Sequence, residues 1–181
     1  MKIDVKVKKH EKIYTGKFIN FYADDIIINN KVNTRREYIY YPLAVGIIPV
    51  TEDNRIIMVE QYRYTNDYYS LEIPAGKIDE GEALETAAHR ELQEETGYDF
   101  GRLEKVYEYY PAISYSKERL IIYAAYDLIK KELPPDEDEF IEVKFFTLDE
   151  ILELIKENKI MDGKTVLSIL AYVTFIQKKG L

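Results

Sequence analysis

Gly76-Lys77-Ile78-Asp79-Glu80-Gly81-Glu82-Ala83-Leu84-Glu85-Thr86-Ala87-Ala88-His89-Arg90-Glu91-Leu92-Gln93-Glu94-Glu95-Thr96-Gly97-Tyr98 is the stretch on which the reading of this chain turns. From about Ala83 to Thr96 its pattern predicts a helix, and Gly97 stands where a left-handed C-cap would end it. On a helical wheel Leu84, Ala87, Ala88 and Leu92 form an inward face. Glu91, Glu94 and Glu95 fall on that same arc, while Glu85, His89, Arg90 and Gln93 lie opposite. A plain amphipathic helix would turn its acids outward. Three carboxylates on or beside a packed face are costly unless positive charge neutralises them. Arg90 can pair with Glu94 at i, i+4, but one arginine cannot neutralise three carboxylates. Divalent cations can, and clustered hard oxygen ligands without His or Cys suit Mg²⁺ or Mn²⁺. A solvated acidic helix with local salt bridges is the commoner meaning of a charge run, but it does not account for the inward phase.

Working outward, the 181 residues suit one domain with a small appended element. No apolar run approaches the length of a membrane span, and Met1-Lys2-Ile3-Asp4-Val5 lacks the apolar core of a secretory signal. These features predict a cytoplasmic protein. With no cysteine, disulfides, thiolate metal sites and cysteine nucleophiles are excluded. His10 and His89 are far apart in sequence and suggest no zinc site. A net charge of -8 argues against sequence-independent binding to nucleic acid.

Residues 3–41 read as short strands, with Ile26-Ile27-Ile28 and Val32 flanking a turn at Asn29-Asn30. Ala44 to Val50 is a continuous apolar run and predicts a buried strand. Thr51-Glu52-Asp53-Asn54 reads as a hairpin turn into a strand from Arg55 to Gln61. Leu71-Glu72-Ile73 predicts a short strand stopped by Pro74 and Gly76, where the glycine would turn the chain sharply into the helix region. Further strands are predicted at Arg102–Tyr109, Arg119–Leu128 and Ile141–Phe146. Pro134-Pro135-Asp136-Glu137-Asp138-Glu139 reads as a stiff acidic loop. Thr147-Leu148-Asp149-Glu150 fits a capping box opening a helix to about Glu157. A last helix runs from about Lys164 to Gln177, with Val166, Ile169, Leu170 and Val173 on one face. This order predicts an α+β protein with a mixed sheet between helices. A small strand-rich extension would cover 1–41 and a catalytic domain 42–181.

The stretch from Gly76 to Tyr98 resembles the box of the Nudix hydrolase family: Gly76, Glu82, Arg90-Glu91, Leu92, Glu94-Glu95, Gly97 and a final apolar position, here Tyr98. The resemblance implies the Nudix fold. It implies that Glu91, Glu94, Glu95 and the carbonyl of Ala75 hold metal, with Mg²⁺ expected and Mn²⁺ as a substitute. The reaction it implies is attack of water on one phosphorus of a diphosphate. Arg90, Glu94 and Glu137 are implied as catalytic, Glu137 as the general base on a mobile loop; Glu139 is its nearest rival and Glu118 another.

Val59-Glu60-Gln61-Tyr62-Arg63-Tyr64, Leu71–Lys77, Arg36-Glu37, the acidic loop and Asp162-Gly163-Lys164-Thr165 resemble the ADP-ribose pyrophosphatase subfamily. That resemblance implies hydrolysis of ADP-ribose to AMP and ribose 5-phosphate by a homodimer whose N-terminal strands help build the partner's site. It implies that Arg36, Glu37, Arg63, Ser114 and Glu118 contact the substrate. The stretch Ala112–Glu118 departs from the subfamily's usual Ser-Pro-Gly pattern, with its proline at Pro111, so other nucleotide sugars such as GDP-mannose stay open. Phe18, Phe21, Tyr22, Tyr62, Tyr64, Tyr68 and Tyr69 are candidates to stack on a purine, although any one of them is more often a core or interface residue. An RNA-decapping enzyme is disfavoured by the acidic balance. A non-catalytic binding module of the same fold would be expected to have lost box glutamates.

Overall fold

The computed structural model describes residues 2–17, 19–131, 133–134 and 140–177, and the chain divides into two compact units. The first unit contains residues 1–43 and 110–119, and the second contains 44–109 and 120–181. The sequence places a single boundary near 41. The return of 110–119 to the N-terminal unit is a long-range pairing with no local signal.

In the first unit β1 (Val5–Thr15), β2 (Asn20–Ile28) and β3 (Val32–Tyr40) form an antiparallel sheet in that order. The strands are nine to eleven residues long rather than short. Asn29 and Asn30 make the expected turn, with φ of 50° and 54°. Asparagine tolerates that left-handed region, and two such residues in succession match the twist of a tight hairpin. Residues 110–119 add to β3 through Ile39, whose N–H donates to the Tyr115 carbonyl and whose carbonyl accepts from Lys117 N–H. Among the described residues only Ala23 and Ile26 are buried apolar side chains of this unit, while Val5, Val7, Ile13, Tyr14 and Val32 are exposed.

The second unit holds β4 (Ala44–Pro49), β5 (Arg55–Arg63), β6 (Tyr68–Glu72), β7 (Ala75–Lys77), α1 (Leu84–Thr96), β8 (Tyr98–Tyr109), β9 (Leu120–Lys130), β10 (Ile141–Thr147), α2 (Leu148–Lys156) and α3 (Gly163–Phe175). One sheet has the order β7-β4-β9-β8 and is mixed, β4 and β9 being parallel. The other, β10-β5-β6, is antiparallel. β4 is a continuous apolar run because it is buried on both faces. Val45 and Ile47 pack with Ala87, Ala88 and Leu92 of α1. Ala44 and Ile48 point the other way, into a core shared with Met58, Ile122, Ile151 and Ile169.

Two differences from the sequence reading have local causes. Pro74 ends β6, but the chain then enters a second strand, β7, which pairs with β4 through Gly46↔Ala75 and Val45↔Gly76. Gly76 is therefore inside a strand, not at a turn. The Thr147–Glu150 capping box forms as expected. α3 rolls away from its predicted face: Leu170 is exposed, and Thr165, Ser168, Ala171 and Tyr172 are buried with Ile169. Thr165 and Ser168 tolerate burial because each hydroxyl donates a hydrogen bond, to Asp162 and to the Lys164 carbonyl.

Candidate active site

α1 starts after Ala83, which offers no capping side chain, and stops at Gly97 in the left-handed region with φ of 73°. Glu82, just before the helix, accepts from Asp79 N–H at 3.0 Å and ties down the preceding loop. Glu91 and Glu95 are buried, and Glu94 is partly buried. Gln93, expected to face outward, is buried as well, and its carbonyl accepts Leu133 N–H from the segment after β9.

Arg90, expected on the outer side, lies among the acids. Its Nε and Nη2 donate to the two oxygens of Glu82, both at 3.0 Å. Its Nη1 donates to Glu91 at 2.8 Å and to Glu94 at 3.1 Å. Nη2 also donates to the Lys77 carbonyl at 2.9 Å, tying the helix to β7. The hydrogen bond from Arg90 holds the Glu82 carboxyl below the ordinary range, and the same contact pushes the arginine's own pKa further up. One arginine thus serves three carboxylates, Glu82 in place of Glu95. Glu95 instead accepts the backbone N–H of Ala75 at 3.0 Å.

β7 faces this cluster at close range. A Cβ added to Gly76 would lie 1.9 Å from Glu91 Cδ and 2.0 Å from each of its oxygens. Any side chain at 76 would meet the Glu91 carboxylate, which occupies that space and would have to move aside. The glutamates, the Ala75 backbone and Arg90 are thus gathered at one place between β7 and α1. Their chemistry fits a hard divalent cation: the donors are all oxygen, they sit on one helix face, and a gap has been kept for one of them. Among the described residues no three acidic or histidine side chains converge as a ready metal cage, since Arg90 and the Ala75 N–H draw the carboxylates.

Beside the cluster, Arg63 at the end of β5 donates Nε and Nη2 to the two oxygens of Glu72, at 2.8 and 2.7 Å. Glu72 is 4% exposed. Burial alone would raise its pKa, but the Arg63 hydrogen bond and the nearby Lys164 ammonium bring it down to about 2. Glu95 is close enough to help keep Arg63 charged. No role for Glu72 or Lys164 was legible in the sequence. The available signal was an acid at an inward position of a strand, sharing its face with buried Ser70.

The other expected ligand contacts lie in the first unit. Arg36 is exposed on β3 and donates to Thr34 Oγ1 and the Arg35 carbonyl. Glu37 is exposed next to it. Ser114 and Glu118 belong to the segment that pairs with β3; Ser114 is exposed and Glu118 partly buried. Of the candidate aromatics, Tyr22 is stacked between His10 and Tyr38, Tyr62 lies against Tyr69, and Tyr64 is 86% exposed. Phe21 and Tyr68 are partly buried. Phe18, Glu137 and Glu139 lie outside the described residues.

Two sheets and three helices among the described residues of this unit, with the acidic helix against a glycine-bearing strand, define a class. The NUDIX domain family profile matches residues 40–166, and the chain belongs to that family, as a Nudix hydrolase. Enzymes of this family generally work with divalent metals. The chain is 40% identical over 166 residues to a methanol dehydrogenase activator of Bacillus methanolicus, covering 91% of this chain and 90% of that protein. It is 37% identical over 171 residues to an ADP-ribose pyrophosphatase of Bacillus subtilis (strain 168), covering 92% and 91%. A crystal structure of an ADP compounds hydrolase has the same fold, with a TM-score of 0.87 at 24% identity, covering 97% of this chain and 96% of that one.

Proposed function

We propose that this protein hydrolyses the diphosphate of ADP-ribose to AMP and ribose 5-phosphate in a reaction that requires Mg²⁺, with Mn²⁺ as a substitute. The observation that carries the reading is the Gly76–Glu91 contact: a strand that gives up a side chain to a carboxylate keeps that carboxylate for a ligand. The similarity to the Bacillus subtilis ADP-ribose pyrophosphatase over nine-tenths of both chains supports the choice of substrate.

Glu91, Glu94, Glu95 and the Ala75 carbonyl would hold the metal. Bound divalent ions supply positive charge to the diphosphate oxygens and make water more acidic. Arg90 keeps Glu91 and Glu94 oriented and limits their mutual repulsion. Glu137 takes the proton from the attacking water. Arg63 meets the anionic part of the substrate with the edge of its guanidinium not used on Glu72. Arg36, Glu37, Ser114 and Glu118 contact the rest of the nucleotide.

In this reading the N-terminal unit supplies dimerisation and substrate contacts, and the second unit supplies catalysis. A homodimer would cover the exposed Val5, Val7, Ile13, Tyr14 and Val32. The setting is the cytoplasm; among the described residues no helix is long and apolar enough to cross a membrane. A competition assay tests the substrate. With ADP-ribose, GDP-mannose and a diadenosine polyphosphate present together, ADP-ribose should be consumed first, and consumption of GDP-mannose first would place the chain in another branch.

A further inference from the structure

Five side chains outside the glutamate cluster share a closed set of hydrogen bonds. Arg63 clamps Glu72 through Nε and Nη2. Lys164, in the first turn of α3, donates Nζ to Glu72 Oε2 and to Asp162 Oδ2. Asp162 caps α3 by accepting Thr165 N–H at 2.9 Å and its hydroxyl at 2.6 Å. The Thr165 hydroxyl in turn accepts Ile73 N–H at 2.9 Å, one residue from Glu72. The helix start is therefore pinned to the strand end that leads into Ala75 and Gly76.

Within this ring, Lys164 contributes more than helix packing. Arg63 meets Glu72 side-on, so one face of the guanidinium is spent and Nη1 makes no hydrogen bond among the described residues. The Arg63 side chain is 42% exposed and that of Glu72 only 5%. A buried carboxylate with one cationic partner keeps lone pairs that water cannot reach. Lys164, itself 18% exposed, fills that need from the helix side. Arg63, Lys164, Glu72 and Asp162 then sum to zero charge. Without Lys164 the sum is -1 beside Glu95, which would oppose an incoming anion, and Arg63 would be left to serve Glu72 alone and draw Nη1 inward.

We propose that Lys164 is a positioning residue: by holding Glu72 from α3 it fixes Arg63 with its free Nη1 edge presented to an anionic oxygen of the substrate. The substrate side of this proposal rests on the diphosphate-hydrolase reading; the clamp itself does not.

The test uses Lys164→Met and Lys164→Arg in the full chain, with two readouts. The first is steady-state kinetics on ADP-ribose. Lys164→Met should raise KM about tenfold, equivalent to about 1.4 kcal/mol, with kcat changed by less than about threefold, the pattern of lost uniform binding. Lys164→Arg should restore most of the affinity. The second is the ¹⁵N-detected Arg63 Nε–H signal, assigned by its loss in Arg63→Lys. It should be sharp and slow to exchange in the wild type and broadened in Lys164→Met. An unchanged KM together with a sharp Arg63 signal, with only the melting temperature lowered, would overturn the proposal and leave Lys164 a packing residue. If the wild type cleaves no nucleoside diphosphate, the functional reading fails, and the Nε–H signal still judges the clamp. Should Lys164→Met not fold, Glu72→Gln is read on the same signal, and a sharp resonance there also overturns it.

Discussion

Replacing Gly76 by alanine isolates the contact on which the site depends. The glycine is not in the left-handed region, where only Gly81 and Gly97 are found among the described glycines, so an alanine adopts its backbone without strain. Stiffening the unfolded chain would by itself stabilise the variant by about 0.4–1 kcal/mol. Against this stands the new methyl, 1.9 Å from Glu91 Cδ. Ordinary contact begins at 3.4 Å, so the carboxylate must retreat by about 1.5 Å. Overpacking of this kind costs about 1–3 kcal/mol. The low end applies here, because the displaced atoms end a flexible side chain. The two effects nearly offset, and the melting temperature should move by no more than about 2–4 °C. Catalysis has no such offset. A misplacement of about 1 Å can cost on the order of 10²-fold in rate, so kcat should fall at least about 10²-fold and the Mg²⁺ concentration for half-maximal rate should rise. Initial rates over a Mg²⁺ series, with a melting curve for each preparation, measure both. A Gly76→Ala enzyme with wild-type kcat and unchanged metal dependence would refute the assignment of Glu91 as a ligand held in a reserved gap.

Glu94→Gln and Glu95→Gln should each lower kcat strongly while the fold persists, and their melting temperatures without metal should be equal to or above the wild type's, since inward charge has been removed; near-normal rates in both would reject the metal-ligand assignment. Glu137→Gln should lower kcat by roughly 10²–10⁴-fold, the range for a lost general base, with metal affinity little changed; normal turnover there, with loss in Glu139→Gln or Glu118→Gln, would move the base to another carboxylate. Glu72 gives a pH signature. Its pKa is about 2 against an ordinary 4.5, so it binds its proton more weakly folded than unfolded. Its contribution to stability is whole above pH 4.5 and is lost as pH falls toward 2, amounting to at most about 3 kcal/mol, less for screening at half-exposed Arg63. Thermal melts from pH 5 to pH 2 should therefore fall more steeply for the wild type than for Glu72→Gln, and parallel curves would contradict the network.

Much of the second unit was legible because local chemistry and tertiary fate agree there. Gly97 caps α1 as its position predicts, Thr147 and Glu150 form their box, and the apolar run of β4 is buried on both faces. Wheel geometry also placed Glu91 and Glu95 inward. It misplaced Gln93 and Arg90, because a wheel knows one helix and not what crosses it. The segment after β9 reaches Gln93, whose carbonyl accepts Leu133 N–H, and Arg90 is long enough to fold back onto Glu82 and the Lys77 carbonyl. The sequence alone makes Gly76 look like a turn residue, since a glycine kept for space looks the same in sequence as one kept for its φ. The return of residues 110–119 to β3, and the link from Lys164 to Glu72 across 92 positions, are distant pairings that one sequence does not encode locally.

The most direct test of the central claim is a ³¹P NMR time course of the purified protein with ADP-ribose. With Mg²⁺ the diphosphate resonances should disappear and two phosphomonoester signals, AMP and ribose 5-phosphate, should grow in equal amounts. EDTA should stop the reaction, and added Mn²⁺ or Mg²⁺ should restart it. Persistence of the diphosphate signals in the presence of Mg²⁺, or the same cleavage continuing in EDTA, would contradict the account.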